Sequence, residues 1–267
     1  MAGNTKQLRT RIKSVSSTGQ LTKAMELVAA SKINRAGEKS KNAKDYREAL
    51  IKTVSILTAD NECLKSPFMN SREGSKTKLI VIAGDRGLAG GYNSSVFKTA
   101  APFLGAEIIP IGKKACEKFK KDIVSSEKFQ FSDAFSLAEK LVEEFKEGNY
   151  NRLGIVTTEY LNIMTQEPVV EWVLPLKPGK RRSFAGVIFE PDMRTVLEGM
   201  VIEYVAGMIF AAVRESFLCE VSARRTAMDS AGKNARRMIN DLQLQYNRAR
   251  QGAITQEITE IVAGSGE

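Results

Sequence analysis

The sequence predicts an α/β fold: the two ends of the chain form a long antiparallel coiled coil, and the middle forms an α/β domain with a mostly parallel sheet. Three observations point to it. All seven prolines lie from Pro67 to Pro191, so long proline-free stretches flank a central region. The stretch from Asp192 to Val262 keeps helical apolar spacing. In the centre, apolar strand-like runs alternate with amphipathic helical ones, the order that builds a parallel sheet.

The C-terminal helix is expected over residues 192–267. Asp192, after Pro191, is placed as its N-cap and Gly264 as its C-cap. At ~1.5 Å per residue the span is roughly 100 Å, far longer than one globular domain needs. Val196, Leu197, Met200, Val201, Tyr204, Val205, Met208, Ile209, Ala212, Val213 and Phe217 make a broad apolar face, so residues 192–221 are expected to lie against a folded body. From about Arg224 the pattern narrows to a seam, Met228, Ala231, Ala235, Met238 and Leu242, whose steps of three and four residues suit pairing with one other helix over 222–263. An ordinary buried helix is the alternative; the missing proline favours the coil.

The natural mate is an N-terminal helix over residues 1–60, capped by Asn4 or Thr5 and running to about Asp60. Leu8, Ile12, Val15, Met25, Val28 and Ile33 share one side of it. Gly19 and Gly37 lie inside, each weakening the helix by ~1 kcal/mol relative to alanine.

Residues 61–76, with Pro67, Asn70 and Gly74, read as a linker into a globular domain over 77–191. A buried strand is expected at Lys78–Ala83, then a glycine-rich turn from Gly84 to Asn93 and a helix from Ser94. Further strands are expected at Glu107–Ile111 and Leu153–Thr158, with helices at Lys113–Lys121 and Asp133–Lys146. Val169–Glu190 is expected to add strands around the basic turn Lys177–Arg182. This makes the domain Rossmann-like.

The chain has 267 residues, 43% of them hydrophobic, enough for a real core. Its formal net charge of +9 is uneven: Met1 to Lys52 holds twelve Lys/Arg against four Asp/Glu. Arg224 to Gln251 is basic as well. Two basic rods suggest an acidic partner. Nucleic acid is disfavoured, because Met1 to Asp45 has no aromatic residue to stack on a base and no nucleic-acid-binding signature appears. Cys63, Cys116 and Cys219 follow no pairing motif and are expected as reduced thiols of a cytoplasmic protein. No signal peptide is expected, since the first residues are charged and polar, and the longest uncharged run of the last helix, Tyr204 to Val213, is too short to cross a bilayer. Any membrane association is expected to run through a partner.

The chain has no histidine, which removes the commonest general base and metal ligand, and no carboxylate or cysteine cluster has metal-site spacing. No catalytic residue, cofactor or metal is expected. The turn Gly84-Asp-Arg-Gly-Leu-Ala-Gly-Gly91 is the place to test, since such turns often cradle phosphates. It fits neither template: Arg86 stands where a dinucleotide fingerprint needs glycine, and Tyr92 follows Gly91 where a P-loop needs lysine. A tight turn for close strand–helix packing is the preferred reading. Asp85 and Arg86 remain open between a small ligand, each other and a neighbouring subunit.

Leu21-Thr-Lys-Ala-Met-Glu-Leu-Val-Ala-Ala-Ser-Lys32 near one end and Tyr246-Asn-Arg-Ala-Arg-Gln-Gly-Ala-Ile-Thr-Gln-Glu257 near the other closely resemble the γ subunit of F-type ATP synthase. So do Asp85-Arg-Gly-Leu-Ala-Gly-Gly-Tyr-Asn93 and Thr226-Ala-Met-Asp229, and the resemblance covers essentially the whole chain. It implies a non-catalytic rotor shaft standing inside a ring of α and β subunits. The globular body would rest beside ε on a membrane c ring, peripheral on the cytoplasmic side of the cell membrane.

By motif position, the resemblance implies that Lys23 and Met25 face the moving acidic lever of β, and that Arg224 belongs to the coupling surface shared with Arg250 and Gln251. Arg250 and Gln251 would engage a β catch loop, with Thr255, Gln256 and Glu257 just beyond. Glu190 would belong to the foot near the c ring and ε. An apolar tip of Ile254, Ile258, Ile261 and Val262 suits a collar at the top of the ring. Gly19 and Gly252 depart from the family's better helix formers, Ala89 replaces a common cysteine, and the paired-cysteine regulatory insertion of the chloroplast form is absent. The class-distinct alternative is a small-molecule-binding enzyme that uses its long helices to oligomerise.

Overall fold

The computed structural model describes residues 2–70, 74, 76–179 and 189–264, without the side chains of residues 2–4, 257, 260 and 264. Its elements run α1 (Ala2–Leu57), β1 (Thr77–Ile82), α2 (Tyr92–Ala100), β2 (Glu107–Ile111), α3 (Lys113–Phe119), α4 (Phe131–Lys146), β3 (Arg152–Tyr160), β4 (Gln166–Leu174) and α5 (Met193–Gly264). The fold class is the expected one: two long terminal helices and a mixed sheet with mostly parallel neighbours.

The helix ends differ in detail from expectation. α1 starts at Ala2, so positions 4 and 5 lie inside the helix rather than at its cap, and it ends at Leu57 rather than Asp60. Asp192 does cap α5: its Oδ1 accepts the Thr195 N–H at 2.9 Å and its Oδ2 the Thr195 hydroxyl at 2.8 Å. Those bonds hold the Asp192 carboxyl below its ordinary range. Gly264 is the last helical residue, not the cap beyond it.

The chain divides into two compact units, Met1–Ala30 with Arg224–Glu267, and Ser31–Ala223. In the first, α1 and α5 are antiparallel. A Cβ added at Gly19 would lie 3.4 Å from Ala235 Cβ, and one at Gly232 would lie 3.6 Å from Thr22 Oγ1, so positions rise on one helix as they fall on the other.

Met228, Ala235 and Leu242 of α5 are buried at the seam, as expected. Met238 is not at the seam: it is 43% exposed, and half-buried Ile239 takes its place. Two heptad phases share Met228, Ala235 and Leu242, and only the intermediate positions tell them apart. The structure takes Gly232 and Ile239, with Ala231 half-buried at the edge. On α1 the seam runs Leu8, Ile12, Val15, Gly19, Thr22, Glu26 and Ala29, again by steps of four and three. Val28 falls outside that series and is 58% exposed, against its expected place on the apolar side.

In the second unit the sheet order is β2-β1-β3-β4. β1 is parallel to β2 and β3, and β4 is antiparallel to β3. Connectivity accounts for this: helices cross between the parallel strands, while β3 and β4 are joined by a short hairpin. β4 starts at Gln166, earlier than the expected Val169, and carries Pro168, which its edge position tolerates. Of the expected basic turn, Lys180 to Arg182 lie outside the described residues.

The strand pleat sends alternate residues to two cores. Ile80, Ile82, Leu153 and Ile155 pack in one core with Leu141 and Phe145 of α4 and Leu197, Val201, Val205 and Ile209 of α5. Leu79, Val81 and Val156 pack in the other with Val96 of α2 and Ala115 of α3. Burial on both faces is why β1 reads as a continuous apolar run. Gly207 lets α1 and α5 come close within this unit, since a Cβ there would lie 2.2 Å from Leu50 Cδ1. Phe68, within the 61–76 stretch, is buried and stacks on Phe145 with ring centroids 6.1 Å apart. α5 is long and apolar enough by composition to cross a bilayer, yet more than half of its most apolar stretch is buried inside the protein.

Candidate functional site

β1 has β2 on one side and β3 on the other, so the sheet changes winding direction at its C-terminal end. In open α/β sheets that switch point is where anionic ligands bind. The glycine-rich turn leaves β1 there. Its first donors are already engaged: Gly84 N–H bonds Asn93 Oδ1 at 2.9 Å, Asp85 N–H bonds Glu220 Oε2 at 3.2 Å, and Arg86 N–H bonds Glu220 Oε1 at 3.2 Å. Glu220 belongs to α5 and is buried. Gly84 permits the approach, because a Cβ there would sit 2.6 Å from Glu220 Cδ. The protein's own carboxylate thus stands where a phosphate would.

Asp85 is equally committed. Its Oδ1 accepts the N–H of Lys113 at 3.0 Å and of Ser126 at 2.9 Å, and its Oδ2 accepts the Ser125 hydroxyl at 2.6 Å and the Glu127 N–H at 3.0 Å. Burial pushes its pKa up, but these four bonds outweigh burial and hold the carboxyl below its ordinary value. Arg86 turns to Glu127 at 3.2 Å, and Glu127 also takes Lys32 of α1 at 2.6 Å. Of the alternatives open for Asp85 and Arg86, the structure favours pairing within the chain, though not with each other.

More polar contacts join α5 to the strand ends. Tyr92 donates its hydroxyl to Ser216 O at 3.0 Å, Thr157 Oγ1 lies 3.0 Å from Ser216 Oγ, and Tyr160 N–H bonds Glu215 Oε1 at 3.0 Å. Sequence reasoning missed this set. The available signal was Glu220 itself, which continues the stripe Ile209, Val213, Ser216 by helical steps and so puts a carboxylate on a buried face. Cys63, Cys116 and Cys219 are all buried free thiols, and burial pushes the Cys219 thiol well up. Among the described residues no group of three or more His, Cys, Asp or Glu is placed to hold a metal ion.

The residues expected to contact partners lie in the first unit, except Glu190. Lys23 is exposed and pairs with Glu26 at 2.8 Å, and Met25 and Arg224 are half-buried. Beside Lys23, a cavity of about 390 Å³ opens where the seam is built from Gly19, Gly232 and Ala235, with Lys233 and Arg236 also on its walls. Arg250, Gln251, Thr255 and Gln256 are exposed. They begin roughly 39 Å along α5 from Arg224 at ~1.5 Å per residue, so Arg224 and the Arg250 group form separate patches. The Glu257 side chain lies outside the described residues. Ile254, Ile258, Ile261 and Val262 are 47%, 56%, 69% and 65% exposed. Glu190, in the second unit, is exposed.

Residues 4–266 match the ATP synthase family. The ATP synthase gamma chain of Ruminococcus albus is 40% identical over 282 residues, covering 98% of this chain and 98% of that one. The chain belongs to the ATP synthase gamma-chain family. A second gamma chain, from Cupriavidus pinatubonensis, is 38% identical over 290 residues, covering 99% of each chain. Gamma chains are subunits of the ATP synthase complex, and this one is similar to them from end to end.

Solved structures share the gamma-chain fold. A chain of the Euglena gracilis mitochondrial ATP synthase, in an OSCP/F1/c-ring assembly, superposes with a TM-score of 0.69 at 18% identity, covering 98% of this chain and 94% of that one. A chain of the Tetrahymena thermophila central stalk and c ring gives 0.61 at 20% identity, covering 79% and 99%.

Proposed function

We propose that this gamma chain is the central-stalk rotor of an F-type ATP synthase. It couples ion-driven rotation of a membrane c ring to ATP synthesis or hydrolysis at catalytic sites on β. The observation that carries the reading is full-length identity of 40% with an ATP synthase gamma chain, in a protein whose termini pair as an antiparallel two-helix coil.

In this reading residues 1–60 and 222–263 form the axle, 61–76 link it to the body at 77–191, and 192–221 fasten α5 to that body. Lys23, Met25 and Arg224 form one coupling patch toward β, and Arg250, Gln251, Thr255, Gln256 and Glu257 form a second. Ile254, Ile258, Ile261 and Val262 turn in an apolar collar, and Glu190 serves the foot toward the c ring and ε. The partners are α, β, ε and the c ring, with no nucleic acid. The chain is peripheral on the cytoplasmic side of the cell membrane and reaches the membrane only through the c ring.

Physical chemistry supports the assignment. An axle must push without sticking, and long basic and methionine side chains trade contacts with acidic loops without one deep energy minimum. Four exposed apolar residues grouped at one helix end are what a surface kept for a partner looks like. The turn at β1 has Gly84, Asp85 and Arg86 N–H groups bonded internally, which weighs against the enzyme alternative. The test is Arg250→Ala in the assembled complex. ATP synthesis is expected to fall several-fold while the subunit still folds and assembles, and unchanged coupling would remove Arg250 from the second patch.

A further inference from the structure

We infer that Glu220 and the Gly84–Arg86 turn form an internal anion lock that fixes the rotation and register of α5 on the sheet. Twist between helix and α/β domain passes through this joint. The inference rests on the rotor reading above and assigns it a joint that the family membership does not.

An apolar interface holds two surfaces together but sets their angular position only softly, because the hydrophobic effect is non-directional. A buried carboxylate that accepts two backbone N–H groups has one position in which both bonds are made. Here the two carboxylate oxygens each take one N–H of consecutive residues, Asp85 and Arg86, both at 3.2 Å. Turning α5 about its axis, or sliding it by a residue, breaks both of these bonds at a carboxylate that is buried from water.

The turn is itself rigid. Asp85 ties it to the start of α3 and to the 125–127 segment through four bonds, and Asn93 ties Gly84 to α2. Ser216 and Glu215, one turn earlier on α5, add contacts to Tyr92, Thr157 and Tyr160. The lock therefore joins α5 to β1, β3, α2 and α3 at once. A crevice that other sheets keep open for a diffusible anion is closed by a covalently attached one, trading ligand binding for stiffness.

The test measures torsional stiffness in the assembled complex. A bead is attached through a cysteine introduced at exposed Lys98, the native cysteines being buried, and angular fluctuation is recorded with the catalytic ring arrested. Glu220→Gln sets an amide N–H₂ against a backbone N–H, and Gly84→Ala pushes the carboxylate away. Each is expected to raise the angular variance at least twofold, with the double variant no worse than the larger single effect, since both break one contact. Variance equal to wild type in Glu220→Gln and Gly84→Ala would overturn the lock, as would strictly additive effects. Glu220→Gln is the gentler change and decides the matter if Gly84→Ala fails to assemble. A wild-type bead that does not rotate when ATP is supplied would instead sink the rotor reading.

Discussion

Asp85 shows how much one side chain does at the heart of the second unit. Its carboxylate satisfies three backbone N–H groups and one hydroxyl, and it is 9% exposed. Asp85→Ala removes the shared acceptor of four donors, the buried Ser126 N–H among them, so unfolding free energy should fall by about 2–3 kcal/mol. Denaturant titration checks this. The pH dependence has a definite sign. The folded carboxyl titrates below its ordinary 3.8, so its contribution is complete above that value and is lost as pH falls through the lower folded value. Asp85→Asn should flatten that part of the acid limb, and an acid limb as steep as wild type would contradict the assignment.

Glu171 has the opposite sense. Burial pushes it up, Arg47 beside it pulls down, Glu159 and Glu215 push up, and the net shift is upward. Its contribution is therefore fullest below its ordinary range and declines as pH rises through the raised value.

Among elements, the two long helices are where sequence reading was strongest and where its limit is easiest to see. Missing proline and sustained apolar spacing sufficed to place α1 and α5. Their facing residues were harder, because Met238 and Ile239 are both apolar neighbours and only the partner helix selects between them. Leu242→Ala should cost the rod about 2–3 kcal/mol, whereas Met238→Ser should stay within about 0.5 kcal/mol. Thermal unfolding separates the two, and equal losses would restore the rejected heptad phase.

Gly37 and Gly252 face open space, with nothing within 4 Å of an added Cβ. Alanine at either should stabilise its helix by up to ~1 kcal/mol. A lowered melting temperature would mean that these glycines serve a bend instead.

The sheet shows the same division. β1 was legible because burial on both faces leaves an uninterrupted apolar run, and β2 and β3 followed nearly as well. β4 was legible only in part, since its first residues, Gln166, Glu167 and Pro168, have the composition of a loop and its apolar run begins only at Val169. The Glu220 joint was illegible for a different reason. It links residues 135 positions apart, and no local pattern shows that a helix carboxylate will fill the switch point of a sheet.

At the scale of the whole molecule, one unit is an α/β domain whose switch-point crevice is filled by Glu220, and the other is a coiled rod with exposed flanks and an exposed apolar end. Family membership follows from end-to-end similarity, and the partner-facing roles of Lys23, Met25, Arg224, Arg250 and their neighbours came from motif position. The rod's surface is charged near Lys23 and Arg250 and carries exposed apolar residues at Ile254, Ile258, Ile261 and Val262. Function here depends on transmitting angle.

The most direct test is rotation in the purified complex. With the catalytic ring fixed to a surface and a bead on the α/β domain of this chain, ATP should drive continuous rotation in one sense. A bead that stays fixed relative to β while ATP is hydrolysed would contradict the account.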